Sequence, residues 1–215
     1  MNTNSTQARV VVPPIDTGRG FVVREVAPAD FGEARAVIMR VLEEDLKTGY
    51  MPQYHWDIDD MQTAYLDNRR QALFVAVDHA SGQIIGTISV RTDGPKSPPH
   101  PAWLAERYAP DNACQLFRAY IAREHRRRGV ARALVEAARL FIRDEGGYDT
   151  IYLHTNPSVP GAEPFWRAMP TTEIFDSRRD EGAPGTNALH FELATLPPAS
   201  GASEVAGASS AGTAT

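Results

Sequence analysis

Cysteine is nearly missing from this chain of 215 residues, which contains only Cys114. A single thiol cannot form an internal disulfide, so the sequence excludes the small disulfide-stapled domains of secreted proteins and fits a reducing compartment. Apolar runs of the roughly 18 to 20 residues needed to span a bilayer are also lacking. The polar start, Met1 to Gln7, has neither the basic nor the apolar region of a secretory signal. We therefore expect a cytoplasmic protein with no membrane partner.

An excess of positive charge is lacking as well. The chain has 22 Lys and Arg against 27 Asp and Glu, a formal net charge of -5 at pH 7. Proteins that neutralise nucleic-acid phosphates usually carry a broad basic surface. Here one basic cluster, Arg123 to Arg132, has no second cluster beside it, so we expect no nucleic-acid partner. Salt-dependent binding of DNA or RNA by this cluster stays open as an alternative, which one titration at rising salt tests.

The two ends of the chain are low in complexity. Residues 197–215 are almost entirely Ala, Ser, Gly, Thr and Pro, with Glu204 as the single charge, and such a segment cannot offset the entropy of ordering. Residues 1–19 are similar, although 10–14 could lie extended against the body. The whole chain has 42% hydrophobic residues, and the part between the two ends is long enough to bury one hydrophobic core. We predict a flexible segment at 1–19, one folded domain at 20–196 and a disordered tail at 197–215.

Hydrophobic periodicity between the ends alternates between strand and helix. A Gly-bearing turn at 79–83 joins two apolar runs and predicts a hairpin. Gly146 and Gly147 predict the end of the longest helix, because glycine favours helix C-termini. The predicted strands are 21–26, 73–78, 84–90, 116–121, 150–154, 173–176 and 188–193, and the predicted helices are 28–42, 57–69, 130–145 and 162–169.

The segment from Tyr120 to Leu134 passes from a strand through a charged turn into an amphipathic helix. The first amides of a helix have no intrahelical partner, and the helix dipole places positive charge on them, so an anion binds well there. Gly129 lies where the turn becomes the helix, and a residue without Cβ lets a bulky anion approach the main chain. The small side chain of Ala131 likewise leaves room for the anion near the main chain. The segment predicts a phosphate-binding turn, with a solvated charged face as the alternative.

Within this segment, Arg126-x-x-Gly129-x-Ala131 resembles the acyl-CoA pyrophosphate signature of the GCN5-related N-acetyltransferases (GNAT). The flanking strand and helix and the order of elements also fit, over roughly Phe21 to Leu196. The resemblance implies an α/β fold: a single GNAT-like domain with a central, mostly antiparallel mixed sheet flanked by helices. It also implies an N-acetyltransferase that uses acetyl-CoA, or another acyl-CoA, as co-substrate and attacks directly in a ternary complex, without a metal.

The resemblance implies which residues hold the coenzyme. The main chain of the strand before the turn would pair with the pantetheine arm, and the amide of about Ile121 would polarise the thioester carbonyl. The amides from Arg127 to Arg132 would hold the diphosphate. The complete expected set is Ala119, Tyr120, Ile121, Arg126, Arg127, Arg128, Gly129, Val130, Ala131, Arg132 and Asn156.

Acetyl transfer to an amine also requires a proton acceptor. His154 is our candidate, because some family members carry a glutamate base at the matching position and an imidazole with a pKa near 6.5 is largely neutral at cytoplasmic pH. A hydrogen-bonded structural histidine is the alternative interpretation. Tyr120 is a candidate relay through water, whereas Glu124 and His125, within the turn, are expected to face solvent.

The segment from His154 to Pro170 departs from the family pattern at several positions, and Trp166 is the one that bears on the chemistry. Many relatives have a tyrosine where Trp166 stands, and that tyrosine protonates the leaving thiolate, which an indole cannot do. Trp166 would either donate a hydrogen bond to the sulfur or pack beside it. The thiolate would then leave without a dedicated acid, or water or Tyr152 would protonate it. A non-catalytic acyl-CoA-binding sensor is therefore the alternative function. A covalent route through Cys114 is also open, although a lone thiol usually packs as a small apolar residue.

The expected acceptor site is rich in aromatic and acidic residues. Aromatic faces beside carboxylates attract cations, so Tyr50, Tyr54 and Trp56 predict an amine acceptor, either a small molecule or a peptide N-terminus. The acids that follow, Asp57 to Asp60, could instead be a helix cap and first-turn residues. The proline-rich segment 92–112 predicts a surface loop or a lid over the acceptor. A homodimer is one candidate assembly.

Overall fold

The computed structural model describes residues 8–179 and 187–199. Within them it contains eight strands and five α-helices. Short 3₁₀ turns lie at Pro28–Asp30, Arg123–His125 and Ser177–Arg179, and π-helical turns at Leu42–Leu46 and Gln62–Leu66. The elements are β1 (Ile15–Asp16), β2 (Phe21–Glu25), α1 (Phe31–Val41), α2 (Pro52–Asp59), β3 (Ala72–Asp78), β4 (Ile84–Arg91), α3 (Ala102–Arg107), β5 (Ala113–Ile121), α4 (Val130–Glu145), β6 (Thr150–Thr155), α5 (Ala162–Arg167), β7 (Thr171–Asp176) and β8 (Leu189–Leu193).

The strands form one sheet in the order β1-β2-β3-β4-β5-β6-β8-β7. Every neighbouring pair is antiparallel except β5 with β6, which is parallel. Parallel neighbours need a crossover connection, and α4 supplies it between these two strands. The predicted mixed, mostly antiparallel sheet flanked by helices is confirmed.

The two faces of the sheet bury different helices. On β3, Phe74 and Ala76 belong to the apolar cluster that includes α4, whereas Leu73 and Val75 belong to the cluster that includes α1. This split follows from the alternation of side chains along a strand. Within the α4 cluster Phe141 is fully buried, and burying one such side chain stabilises the fold by about 1.5 to 3 kcal/mol.

The predicted helix at 57–69 is wrong in its boundaries. The helix α2 begins earlier, with Pro52 in its first turn, a position that suits a residue without an N–H. It ends at Asp60, whose backbone is not helical (φ -132°, ψ 71°). The Asp60 carboxylate accepts a hydrogen bond from the Thr63 N–H at 3.1 Å. Asp60 therefore caps a separate π-helical turn instead of continuing one long helix.

The N-terminal segment is attached to the body from residue 8 onward. Val12 is buried, and β1 pairs with β2. Arg9 donates a 2.6 Å hydrogen bond to Glu25. The apolar, extended residues 10–14 account for this attachment. Residues 1–7 and 200–215 lie outside the described residues. They include most of the predicted C-terminal tail and the first part of the predicted flexible N-terminal segment.

The proline-rich segment 92–112 packs on the sheet. It contains α3, whose Leu104 is fully buried, and Tyr108 next to α3 is 1% exposed. The Tyr108 ring lies 4.4 Å from that of Tyr152 on β6. Among the described residues, no helix combines the length and apolarity needed to cross a bilayer.

Candidate active site

The strands β5 and β6 separate part of the way along their length. They pair only over Ala113–Gln115 and Thr150–Tyr152, although β5 has nine residues. Beyond this point β5 continues along β4, and β6 continues along β8. We call the opening between residues 116–121 and 153–155 the strand gap. Its edges offer main-chain groups to an extended ligand, which can bind there as an added strand.

A β-bulge shapes the β5 side of the strand gap. In the pairing with β4, Phe117 faces Ser89 and Tyr120 faces Thr87, so two residues of β5 stand opposite one residue of β4. Arg118 lies in the bulge with a left-handed backbone (φ 53°), a conformation that costs a non-glycine residue about 1 to 2 kcal/mol. The Thr87 hydroxyl donates a 2.8 Å hydrogen bond to the Arg118 carbonyl. Bulges of this kind redirect the strand and often occur near active sites.

A buried ion pair attaches α2 to this bulge. The Arg118 guanidinium donates to both carboxylate oxygens of Asp57, at 2.6 and 3.1 Å, and to the Tyr54 carbonyl at 2.9 Å. Burial opposes ionisation of Asp57, but the hydrogen bonds from Arg118 and Tyr65 and the charge of Arg118 keep its pKa below the usual value. Asp57 is therefore neither a helix cap nor an exposed acid for a cationic substrate.

Main-chain direction shows which groups of β5 face the strand gap. The Ala122 N–H donates to the Ile85 carbonyl at 3.0 Å, so it points towards β4. Successive N–H groups of a strand alternate in direction, and the Ile121 N–H therefore points into the strand gap. The same alternation turns the main chain of Ala119 to the gap and that of Tyr120 to β4. Of the three expected pantetheine contacts, Ala119 and Ile121 present main-chain groups to the gap.

The turn after β5 ends at the start of α4. Arg127 and Gly129 both have left-handed backbones, with φ of 64° and 86°. The first N–H of this region to find a main-chain acceptor is that of Ala133, which donates to the Gly129 carbonyl at 3.1 Å. No group in the described parts of the chain accepts from the six preceding N–H groups. We call these N–H groups of residues 127–132 the amide socket, which is suited to a multiply charged anion.

Two arginines of the motif hold the turn in place. Arg126 donates to the Ile121 carbonyl at 3.1 Å and forms an ion pair with Asp45. Arg128 forms an ion pair with Asp78 at 3.1 Å. Their side chains are thus engaged by the protein itself and help to fix the shape of the turn. Arg127 and Arg132, by contrast, are exposed and form no ion pair with a described residue.

Asn156, the last expected coenzyme contact, lies just beyond β6. Its side-chain oxygen accepts a 2.8 Å hydrogen bond from the Ser158 N–H, and its carbonyl accepts from the Val159 N–H at 3.1 Å. These bonds form a turn that directs the chain from β6 towards α5. Asn156 is half-buried and follows the β6 edge of the strand gap. It belongs to a different segment of the chain from the amide socket.

His154 belongs to a cluster of polar rings on one face of the sheet. Its Nδ1 lies 3.2 Å from the Gln115 side-chain nitrogen and 3.3 Å from the Tyr152 hydroxyl. The Tyr152 hydroxyl lies 2.8 Å from Nδ1 of His190, the residue opposite His154 in the pairing of β6 with β8. His100, from the proline-rich segment, places its ring 4.7 Å from His154 and 5.1 Å from His190. His154, the candidate base, is therefore in contact with side chains from several elements.

This environment lowers the basicity of the histidines. Burial lowers the pKa of His154 well below its usual value, and positive charge on His100, His190 or Arg91 would lower it further. Burial lowers the pKa of His190 to about 4. All three rings of the cluster are neutral near pH 7 as a result. Among the described residues, no group of three or more His, Cys, Asp and Glu side chains has the arrangement of a metal site.

The other candidates for proton transfer are poorly placed. Trp166 is 5% exposed and packs within the α4 cluster, with its ring 4.9 Å from that of Phe165. Tyr152 is fully buried, and burial raises its pKa. Burial likewise raises the pKa of the Cys114 thiol, which is 2% exposed in the core. Cys114 is therefore a packed residue, and the covalent route has no accessible nucleophile.

Glu124 and His125 also turn away from the strand gap. The Glu124 carboxylate pairs with Arg40 at 3.1 Å on the exposed surface. The His125 Nδ1 lies 2.7 Å from an Arg128 nitrogen. Glu124 is exposed, as expected, whereas His125 is half-buried against Arg128. Tyr120 is half-buried at the end of β5, and burial raises the pKa of its hydroxyl.

Three aromatic side chains near α2 remain accessible. Tyr50, Tyr54 and Trp56 are 42%, 47% and 41% exposed. The bond from Arg118 to the Tyr54 carbonyl places this group beside the bulge of β5. Nearby charge is largely compensated, because Asp59 pairs with Arg35 and accepts the Tyr50 hydroxyl. The structure therefore offers aromatic faces at the predicted acceptor position, with less free negative charge than the sequence indicates.

Comparison with known proteins agrees with this geometry. The sequence model of the acetyltransferase (GNAT) family matches residues 37–169. N-acetyltransferase 8 of Rattus norvegicus is 32% identical over 115 residues, which are 54% of this chain and 46% of that protein. The corresponding protein of Homo sapiens is 29% identical over 114 residues, covering 53% and 44%. The chain thus spans about half the length of the curated relatives it matches.

Solved structures share the fold at low sequence identity. A GNAT-family acetyltransferase from Staphylococcus aureus Mu50 has a TM-score of 0.61 and 15% identity, covering 80% of this chain and 98% of that one. The PaiA N-acetyltransferase from Thermoplasma acidophilum, solved in complex with coenzyme A, has a TM-score of 0.56 and 14% identity, covering 81% and 98%. With the family match over residues 37–169, these similarities show that the chain belongs to the GNAT family of acetyltransferases.

Proposed function

We propose that this protein is an acetyl-CoA-dependent N-acetyltransferase that acetylates a primary amine of a small molecule or a peptide N-terminus by direct attack in a ternary complex. One observation supports this most strongly: the strand gap leads directly along β5 into the amide socket. A strand edge followed by an anion site suits a ligand with an extended amide-containing arm and a diphosphate. The names of the curated relatives, all N-acetyltransferases, favour an amine acceptor.

The residues present fit an acyl-CoA. The six N–H groups of the amide socket lack acceptors within the described chain, and a diphosphate supplies acceptors for them. Gly129 has no Cβ at the point where the anion approaches, and its φ of 86° favours glycine. Ala119 and Ile121 would hold the pantetheine arm through the main chain, and Asn156 would border it. The bound coenzyme supplies the activated acetyl thioester.

The strand gap also contains a group that can polarise a carbonyl. The Ile121 N–H points into it and is fixed by the pairing of β5 with β4. A hydrogen-bond donor that is already oriented stabilises negative charge on a carbonyl oxygen without reorganisation. We assign this role to Ile121, and a supporting role in water-mediated proton transfer to Tyr120.

His154 is our proposed proton acceptor, with a restriction imposed by its surroundings. Because burial lowers its pKa, His154 is neutral but too weak a base to deprotonate an alkylammonium ion. It can accept a proton once the C–N bond forms, since the amine nitrogen then becomes far more acidic. The acceptor must therefore arrive as the free amine.

This restriction favours acceptors with a low amine pKa. An α-amino group has a pKa of about 7.7 to 8.0 and a lysine-type amine about 10.4. At pH 7.5 roughly a third of the former is uncharged, against about one part in a thousand of the latter. We therefore place α-amines, including peptide N-termini, ahead of alkylamines, with Tyr50, Tyr54 and Trp56 as the contact surface for the acceptor.

A steady-state assay tests the proposal. Thiol release from acetyl-CoA is followed with a panel of α-amines and alkylamines, and acetylated product is identified by mass spectrometry. We expect saturable, amine-dependent thiol release and an intersecting pattern of initial rates, as a ternary complex requires. A pattern of parallel lines would contradict direct attack.

A non-catalytic acyl-CoA-binding sensor is the second candidate. The packing of Trp166 in the core favours it, because the residue at this position cannot protonate a leaving thiolate. Calorimetry distinguishes the two functions. Tight acetyl-CoA binding that no amine alters, with no thiol release, would select the sensor.

A further inference from the structure

Three arginines of the phosphate-binding turn already have carboxylate partners, whereas Arg127 and Arg132 are exposed and form no ion pair with a described residue. Arg123 and Arg126 both pair with Asp45, and Arg128 pairs with Asp78. A guanidinium that already has a carboxylate partner gains less from a second anion than an unpaired one does. A further cation beside the socket would therefore have a larger effect on anion binding than these paired arginines.

Arg19 provides such a cation from a distant part of the chain. It lies in the turn between β1 and β2, and its guanidinium lies against the main chain of Gly129. A Cβ added to Gly129 would lie 2.4 Å from Nη1 of Arg19 and 3.5 Å from Cζ. The position of Gly129 at the N-terminus of α4 thus places Arg19 beside the amide socket.

The turn that carries Arg19 has a defined shape. The Arg19 N–H donates to the Thr17 hydroxyl oxygen at 3.2 Å, and that hydroxyl donates to the Phe21 carbonyl at 2.7 Å. The Gly20 carbonyl accepts from the His79 N–H at 2.9 Å, which ties the turn to the end of β3. Arg19 is therefore presented from a turn with fixed main-chain contacts.

Arg19 has no counterion among the described residues. No described carboxylate lies within ion-pair distance of it. The Arg128 guanidinium is close by, 3.7 Å from where a Cβ on Gly20 would lie, and the positive end of the α4 dipole lies on the other side. Asp78 compensates the charge of Arg128, but Arg19 itself has no counterion. A diphosphate in the amide socket would supply one.

We propose that Arg19 binds the diphosphate of the coenzyme, so that the N-terminal β1–β2 turn forms a wall of the amide socket. This inference rests on the proposed acyl-CoA binding. It assigns a coenzyme contact to a residue outside the stretch 37–169 that matches the family. The N-terminal segment thus takes part in coenzyme binding as well as in the sheet.

Calorimetric titration of the full-length chain with coenzyme A tests this assignment. Arg19→Gln should weaken binding about tenfold, the effect of one charge-assisted hydrogen bond in a solvent-accessible site. Arg19→Lys should recover part of the loss, because a point charge replaces the two-pronged guanidinium. Arg143→Gln is the matched control: it makes the same charge change near the other end of α4, about 20 Å away, and should leave the affinity unchanged.

Two coenzyme analogues identify the phosphate that Arg19 contacts. With 3′-dephospho-coenzyme A, the diphosphate assignment predicts the same ratio of affinities between the parent and Arg19→Gln. If the parent and Arg19→Gln bind 3′-dephospho-coenzyme A equally well, Arg19 contacts the 3′-phosphate and the diphosphate assignment is overturned. Pantetheine, which lacks both phosphoryl groups of the diphosphate, should bind the parent and Arg19→Gln within about twofold of each other, because the contact with Arg19 is then missing from both.

The controls separate this inference from the function on which it rests. If the parent binds coenzyme A and Arg19→Gln binds it equally well, the role of Arg19 is refuted while the proposed function stands. If the parent does not bind coenzyme A at all, both fail. Equal thermal unfolding temperatures of the parent and Arg19→Gln show that any loss of affinity is local, as expected for an exposed side chain.

Discussion

The ion pair between Asp57 and Arg118 allows a quantitative test of how α2 is held against the strand gap. The two side chains are 0% and 1% exposed. Asp57→Asn keeps the size of the side chain but removes its charge, which leaves the Arg118 guanidinium buried without a counterion. Removing one partner of a buried pair costs about 3 to 5 kcal/mol. We expect the free energy of unfolding to fall by this amount.

Thermal unfolding followed by circular dichroism measures the effect. For a chain of this size each kcal/mol shifts Tm by about 2 to 4 °C, so Asp57→Asn should lower Tm by about 6 to 20 °C. Asp59→Asn is the matched control, since it makes the same change two residues away. Its partner Arg35 is 3.4 Å distant and both side chains are well exposed, so the control should change stability by less than about 1 kcal/mol.

A double variant separates charge from packing at this site. Asp57→Leu combined with Arg118→Met removes both ions, so no unpaired charge stays buried, and we expect it to be more stable than Asp57→Asn. The acid dependence follows from the lowered pKa of Asp57. The stabilisation is complete above the unfolded-state pKa of about 3.9 and is lost as the pH falls through the lower folded-state value. A Tm of Asp57→Asn equal to that of the control at neutral pH would refute this account.

Three further predictions concern the site itself. Gly129→Glu should abolish coenzyme A binding in calorimetry, because it puts a carboxylate in the amide socket. Gly129→Ala has the same backbone strain and no charge, but its Cβ displaces the Arg19 side chain, so it should bind more weakly than the parent and still measurably; equal affinities of the two variants would exclude the socket. His154→Gln should lower kcat about a hundredfold with the coenzyme Kd unchanged, and an unaltered rate from pH 6 to 9 would exclude His154 as the base. Cys114→Ala should keep acetyl transfer within about twofold, because the thiol is buried; loss of turnover in a stably folded variant would point back to a covalent intermediate.

The part of the active site formed by consecutive residues is predictable from sequence. Gly129 and Ala131 adjoin a helix start, and helix N-termini bind anions wherever they occur. In the structure Gly129 has a left-handed backbone at the start of α4. The same local rules place the hairpin of β3 with β4 and the glycine that ends α4. Local patterns were less reliable at α2, where Asp60 ends the helix although apolar periodicity continues.

The part formed by distant residues is not predictable in this way. His190 belongs to the cluster because it stands opposite His154 in the pairing of β6 with β8, and a shift of that pairing by one residue would place its side chain on the other face of the sheet. His100 reaches the same cluster only because the proline-rich segment packs on the sheet. A sequence pattern could have indicated the two histidines as strand or loop residues, without showing that their rings meet.

The sequence by itself determined the order of the central strands and helices from β2 onward apart from α2 and α3, the anion-binding turn and, through the Arg126 to Ala131 signature, the family, because these depend on spacing between neighbouring residues. The tertiary structure decided which side chains surround the reacting groups. It paired Asp57 with Arg118 across 61 positions, placed Arg19 against Gly129 and lowered the basicity of His154 by enclosing it. Burial and strand register result from the packing of the whole chain, so no local pattern could specify them.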